Sequence, residues 1–232
     1  MDLIDNLIKD GWLKTPRIIK AFRKIKRVGF LPEDMEDLSE LNQALPIGFG
    51  QTISQPLTVA FMLEKLQPKP GDKILDIGSG SGWTSALLAE IVKPKGKVIA
   101  IEIVPELKDF GERNVAQYNF IEKGIAEFIL ADGSKGYEKK APYDKILASA
   151  SIQPQTKFGL GARNIPQAWK EQLKIGGRLV TPISTSIWLF VKKSAAEVAE
   201  AAPHLAPRPA EQGVVFEEIE YPGFAFVPLI TK

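Results

Sequence analysis

The stretch that decides the fold is KILDIGSGSG, Lys73 to Gly82. Its first five residues are mostly apolar and too few for a helix. They read as a strand buried on both faces. Three glycines alternating with serines follow at once. Glycine lets the backbone turn tightly and lets a ligand approach the main chain. WTSALLAEIV comes next, apolar on most sides, and reads as a helix. Strand, glycine turn and helix in that order put the turn at the carboxyl edge of a parallel strand, where doubly wound sheets bind ligands. A plain strand-to-helix turn needs one or two glycines rather than three.

The pattern continues outward from there. KPKG is a turn and KVIAIE a second strand, ending at Glu102. PELKDFGERNVAQY, opening on Pro105, predicts a helix. GIAEFIL predicts a third strand, YDKILASA a fourth, and IPQAWKEQLK a helix stopped by Gly176-Gly177. GRLVTPI and SIWLFVK read as strands, with a final pair expected after residue 213. Upstream, LTVAFMLEKL reads as a helix ended by PKPG. Alternating strands and helices joined by right-handed crossovers make an α/β, doubly wound, mostly parallel sheet.

Two further helices open the chain. Leu3, Ile4, Leu7 and Ile8 have helical spacing, and Thr15-Pro16 reads as N-cap and first residue of the second. There Ile18, Ile19, Phe22 and Ile25 form the apolar face, while Arg17, Lys20, Arg23, Lys24, Lys26 and Arg27 are expected on a solvated basic face. Glu33, Asp34, Glu36, Asp37 and Glu40 follow and are placed to neutralise it.

Composition removes whole classes of chemistry. With 232 residues, 44% hydrophobic and 25% charged, the chain can bury a substantial core without staples. Thirty basic and 28 acidic residues leave a net charge of +2, so neither a nucleic-acid nor a membrane partner is expected. There is no cysteine and one histidine, His204 in a Pro-rich stretch. Thiolate nucleophiles, disulfides, a metal site and a His-centred triad are therefore not expected. No apolar run is long enough to span a membrane, and MDLIDNLIKDGW lacks the features of a secretory signal. A cytoplasmic monomer is the expectation.

The glycine turn is G-x-G-x-G, not the dinucleotide G-x-G-x-x-G, and no P-loop pattern occurs. Glu102 closes the second strand twenty residues after Gly82 and suits two ribose hydroxyls. Asp132-Gly133 follows the third strand and suits the exocyclic amine of an adenine. Asp76, the glycines, Glu102 and Asp132-Gly133, at the ends of three successive strands, form the layout of an S-adenosyl-L-methionine site.

Ahead of this core stands ALPIGFGQTISQP, Ala44 to Pro56. Together with KILDIGSGSGWTSALLAEIV, VIAIEIVPEL, ADGSKGYEKKAPYDKILASA, IPQAWKEQLKIGGRLVTPIS and the terminal FVPL, it resembles the protein-L-isoaspartate O-methyltransferase family. The resemblance covers most of the chain. It implies a Rossmann-like methyltransferase sheet with N-terminal helices and a C-terminal antiparallel strand region. It also implies one methyltransferase domain over 1–232: an N-terminal covering segment (1–56), a cofactor-binding core (57–191) and an Ala/Pro-rich excursion with C-terminal strands (192–232). The implied reaction moves a methyl group from S-adenosyl-L-methionine to the free α-carboxylate of L-isoaspartyl residues in damaged proteins or peptides, leaving S-adenosyl-L-homocysteine. The ester then collapses to a succinimide. Ser54 takes the catalytic position, with Gln51, Thr52 and Ile53 beside it at the cofactor. Gly78, Ser79, Gly80, Ser81 and Gly82 line the methionine and ribose end, Glu102 the ribose, and Asp132 with Gly133 the adenine. From its place before Pro56, Ser54 also reads as a helix N-cap.

The chemistry suits the inventory. A carboxylate is ionised at neutral pH and needs no general base, so alignment and exclusion of water remain. Three departures bear on the acceptor. The aromatic-Asp pair usual before A-L-P is absent from Ser39 to Gln43. A polar segment at 152–164, with Lys157 and Arg163, is added at the carboxyl edge of the sheet. The 192–213 stretch is extended. The first two favour, as the alternative, a relative that methylates another carboxylate, such as a side chain of a dedicated peptide. A binding protein without turnover and a nucleic-acid methyltransferase fit less well, the latter because Ala148 to Ser151 is not an Asn/Asp-Pro-Pro-aromatic segment.

Overall fold

A computed structural model describes residues 2–152, 165–197 and 214–231. At its centre is a seven-stranded sheet in the order β5-β4-β3-β6-β7-β8-β9. Its strands are β3 (Lys73–Ile77), β4 (Lys97–Glu102), β5 (Ala126–Leu130), β6 (Tyr143–Ala148), β7 (Leu173–Ile183), β8 (Ser186–Ser194) and β9 (Val214–Pro222). Pairings from β5 through β7 are parallel, and β7-β8-β9 are antiparallel. The chain order reverses between β3 and β6, so the switch point lies beside the glycine turn.

Each face of the sheet carries its own core. Helices α3 (Pro56–Leu66), α4 (Trp83–Val92) and α5 (Pro105–Ala116) cover one face, over Ile74, Ala100, Leu147, Val180 and Leu189. Helix α6 (Gln167–Gln172) covers the other, with Trp169 fully buried among Leu75, Ile77, Ile101, Ile146 and Phe190. Alternate residues of each strand point to opposite faces, so Ile74 serves one core while Leu75 and Ile77 serve the other.

The N-terminal helices α1 (Leu3–Lys9) and α2 (Pro16–Lys24) pack outside α3 and α4. Phe22 meets the Trp83 ring edge-on at 5.6 Å. Thr15 does hold the N-cap of α2, but its side chain makes no capping bond. Instead Glu64 of α3 accepts from the Lys14 and Thr15 N–H groups at 2.8 and 2.7 Å and from the Thr15 hydroxyl at 2.6 Å. A carboxylate there also suits the positive end of α2.

The structure corrects the sequence reading at several points. Leu45–Gly48 (β1) and Gln51–Ile53 (β2) form a small antiparallel hairpin where no strands were expected. Helix α6 ends at Gln172, and Gly176-Gly177 lie inside β7. There the pairing jumps from Tyr143↔Leu173 to Lys145↔Arg178, so the glycines make a bulge rather than a helix stop. Gly176 has φ +76°, and a Cβ on Gly177 would stand 2.7 Å from the Lys174 carbonyl oxygen. Strand β8 continues to Ser194, past the point where the Ala/Pro-rich excursion was placed. The expected final pair of strands is β9 followed by an isolated parallel bridge, Ser151↔Pro228. Apart from Ile152 and residues 192–197, the 152–164 and 192–213 segments, with Lys157, Arg163 and His204, lie outside the described residues. Among the described residues no helix is long and apolar enough to cross a membrane.

The basic face of α2 is only partly as expected. Lys24 and Arg23 are half exposed and pair with Glu90 and Asp5 at 3.0 and 3.2 Å, not with the acidic run. Arg27 is buried, at 5% exposure.

Helix α5 crosses the glycine turn backbone to backbone. A Cβ on Gly111 would stand 2.7 Å from the Gly80 carbonyl oxygen and 2.9 Å from Phe128. Glycine inside a helix costs about 1 kcal/mol relative to alanine, so Gly111→Ala would stabilise an open site. Here it is expected to destabilise by about 1–3 kcal/mol through overpacking. Thermal unfolding checks this: the midpoint should fall by several degrees rather than rise.

Candidate active site

The three turn glycines sit where only glycine is at ease: Gly78, Gly80 and Gly82 have φ of +74°, +52° and +86°. The turn is fastened to the end of β4. The N–H groups of Gly78 and Ser79 donate to the Ile101 carbonyl at 2.9 and 3.1 Å. The Gly80 N–H donates to Glu102 Oε2 at 2.9 Å. Glu102 Oε1 accepts from Ile103 and Val104 N–H at 2.8 and 3.1 Å, which fixes the entry to α5. Asn114 of α5 donates to the Ser81 carbonyl at 2.9 Å. Glu102 is almost buried yet presents to the cavity.

A cavity of about 880 Å³ opens at this edge of the sheet. Of the residues singled out from sequence, Gln51, Thr52, Ile53 and Ser54 line it, with Gly78, Ser79, Gly80, Ser81, Glu102 and Gly133. The hairpin and the glycine turn meet closely: a Cβ on Gly80 would stand 3.3 Å from Ile47 Cδ1. Gly133 has no room for a side chain either, since its Cβ would lie 2.5 Å from Ile77 Cγ2. Ile77, Ile101, Ile103 and Ala131 form an apolar wall around it. Among the described residues, no lysine, arginine or aspartate lines the cavity.

Three expected site residues do not line the cavity. Gly82 faces α5, with its Cβ position 2.7 Å from the Gly111 carbonyl oxygen, so its glycine serves packing. Asp132 caps the short turn after β5, accepting from the Ser134 N–H and hydroxyl at 2.9 and 2.7 Å, with Lys135 Nζ at 3.7 Å. Asp76 is wholly buried beneath the turn, where Oδ2 accepts from the Ser85 hydroxyl at 2.6 Å and Oδ1 has no partner among the described residues. Burial pushes its carboxyl up to about 7; the Ser85 bond pulls it down, and the Glu102 charge raises it again. Ser54 lines the cavity but does not cap α3; that position belongs to Gln55. The first turn of α3 is capped from Asn42, whose Oδ1 accepts from the Leu57 N–H at 3.0 Å.

The sequence reading missed the opposite wall. Tyr221 to Ile230 run along the cavity, tied to the end of β6 by Ser151 N–H to Val227 O and Leu229 N–H to Ser151 O, both 2.8 Å. Phe61 of α3 packs at 5.1 Å against both Tyr221 and Phe224, with Trp12 at 6.0 Å. Lys65 Nζ lies over the Phe61 and Tyr221 rings at 4.9 and 4.4 Å. The aromatic spacing of YPGFAF was the available sign, but nothing local says that it returns to the glycine edge.

Asp76 gives this site a pH signature. A carboxyl raised in the folded state stabilises fully below its unfolded value near 3.8 and loses that contribution as pH rises to about 7. Asp76→Asn, uncharged throughout, is expected to gain on the native protein by on the order of 4 kcal/mol at about pH 8 and to lose the gain toward about pH 4. Thermal midpoints of both proteins across that range test it.

Residues 1–202 match the family profile of protein-L-isoaspartate(D-aspartate) O-methyltransferase. The protein-L-isoaspartate O-methyltransferase of Methanopyrus kandleri is 37% identical over 234 residues, which is 99% of this chain and 90% of that one. Protein-L-isoaspartate O-methyltransferase 2 of Archaeoglobus fulgidus is 44% identical over 176 residues, covering 75% of this chain and 74% of that one. Among solved structures, a protein-L-isoaspartate O-methyltransferase superposes with TM-score 0.77 at 24% identity, covering 97% of this chain but only 64% of its own. A Plasmodium falciparum protein described as a putative protein-L-isoaspartate O-methyltransferase, in complex with S-adenosyl-L-homocysteine, superposes with TM-score 0.74 at 20% identity, covering 99% and 97%. These two structures share the fold.

Proposed function

The chain belongs to the protein-L-isoaspartate(D-aspartate) O-methyltransferase family, and from that premise we propose that it transfers a methyl group from S-adenosyl-L-methionine to the free α-carboxylate of L-isoaspartyl residues in damaged proteins and peptides. One observation carries this reading: the Gln51–Ser54 segment and the Gly78–Ser81 turn line the same cavity.

The residues present fit the cofactor. Glu102 keeps lone pairs on the cavity side for hydroxyl donors, and the glycine turn brings main chain to the surface where a side chain would intrude. Beside Gly133, Ile77, Ile101, Ile103 and Ala131 offer the flat apolar walls that a purine ring needs. S-adenosyl-L-methionine, when bound, supplies a methyl group on a positively charged sulfur.

The chain's own part is to hold an anion in line and keep water away. The acceptor carboxylate is ionised at neutral pH, so no residue has to remove a proton. Among the described residues no lysine or arginine lines the cavity, so there hydroxyl and main-chain N–H donors carry the anion, Ser54 foremost. The Tyr221–Ile230 wall and the Phe61 cluster close the outer side and exclude solvent. Asp76 and Gly82 act beneath the site by holding the turn, and Asp132 by holding Gly133 in place.

The test is transfer of radiolabelled methyl to an isoaspartyl peptide, beside the normal aspartyl peptide. Base-labile label on the isoaspartyl peptide alone is expected, and Ser54→Ala should lower kcat/KM by roughly ten- to a hundredfold. Glu102→Gln should weaken cofactor binding by about tenfold or more through its lost charge-assisted bonds. Cofactor binding without label on that peptide would shift the reading to a relative that methylates another carboxylate.

A further inference from the structure

Arg27 is the residue that neither the sequence reading nor the cavity accounts for. Its side chain is buried, and its guanidinium reaches four main-chain carbonyls. Nη1 donates to Ser39 O at 3.2 Å and Leu41 O at 3.0 Å; Nη2 donates to Gln43 O at 2.7 Å and Ser54 O at 3.4 Å. Gln43 and Ser54 flank the β1-β2 hairpin, so a single nitrogen joins its two ends. The Arg27 Cζ also lies 5.5 Å from the centre of the Trp83 ring, and Trp83 is the first residue of α4, directly after the glycine turn. One side chain therefore touches both halves of the site.

The arrangement is costly. Burial drives the guanidinium well below its ordinary range, to about 10, and Glu40 offsets part of this through space. The Nε donor has no partner among the described residues. A buried cation without a close carboxylate is a poor device for stability alone. It does suit one purpose, because a planar fork of donors can hold several carbonyls in a fixed relation, which an ammonium cannot.

We propose that Arg27 is a positioning residue for methyl transfer, clamping the two ends of the β1-β2 hairpin so that Ser54 is fixed over the glycine turn. This rests on the function proposed above. It predicts that loss of Arg27 frees the hairpin while the sheet and α4 stay intact.

The experiment compares Arg27→Met and Arg27→Lys with the native protein, and Arg23→Met serves as a surface control. Methyl transfer to the isoaspartyl peptide is followed with and without added guanidinium. Amide hydrogen exchange over 44–54 is followed with and without S-adenosyl-L-homocysteine. Arg27→Met is expected to lose kcat/KM by roughly tenfold or more, with guanidinium restoring part of it. Arg27→Lys keeps the charge but cannot span both ends, so it should lose nearly as much and not respond to guanidinium. Exchange should rise over 44–54 in both variants and stay unchanged in β3, β4 and α4. The proposal falls if Arg27→Met retains native kcat/KM, if Arg27→Lys restores it fully, or if exchange rises evenly throughout. If the native protein labels no isoaspartyl peptide, the assigned acceptor fails. The exchange measurement still decides: protection of 44–54 by S-adenosyl-L-homocysteine must then be lost on removing Arg27.

Discussion

Glu102 is the interaction on which the rest of the edge depends. It is a nearly buried carboxylate accepting three main-chain N–H groups, one from the turn after β3 and two from the turn after β4. Hydrogen bonds to a charged group contribute about 1.5–3 kcal/mol each, so this side chain fixes the spacing of two adjacent turns. That spacing lets α5 cross the glycine turn with backbone contact at Gly111 and Gly82, and lets Ile47 rest on Gly80. The hairpin and the glycine turn meet where these contacts hold the turn.

Below and beside that turn stand two groups held at a cost. Asp76 is buried with one oxygen unpartnered, and Arg27 is buried with one nitrogen unpartnered. Neither reaches the cavity surface. Each supports a segment that does: Asp76 from beneath the glycine turn, Arg27 from behind the hairpin. Unsatisfied buried groups of this kind usually mark places where geometry is kept at the expense of stability.

The legible part of the fold was its regular core. Strand-length apolar runs ending in glycine or acid, and helices opening on Pro56 and Pro105, carry their periodicity in the local sequence. The core of the candidate site was legible for the same reason: Gly78, Gly80, Glu102 and Gly133 lie at strand ends, and strand ends of a parallel sheet converge. What was not legible depends on distant partners. Arg27 looked like one more cation of a basic helix, because only the fold brings the carbonyls of Ser39, Leu41, Gln43 and Ser54 around it. Asp132 and Gly82 carried the right residue types, but local capping and packing against α5 took them from the cavity surface. The helix stop read into Gly176-Gly177 failed because a double glycine serves a bulge equally well, and the pairing with β6 decides between them.

The charge of the cavity wall has a consequence for the order of events. Among the described residues, its lining carries one carboxylate, Glu102, and no cation. Alone, such a wall repels an incoming anion and attracts a cation. A positively charged cofactor therefore enters favourably first, and its charge then makes the cavity hospitable to the acceptor carboxylate. Once the methyl group has moved, sulfur and carboxylate are both neutral, and the attraction that assembled the complex is gone. On the proposed reaction, one charge thus favours the cofactor before the acceptor and weakens the complex after transfer.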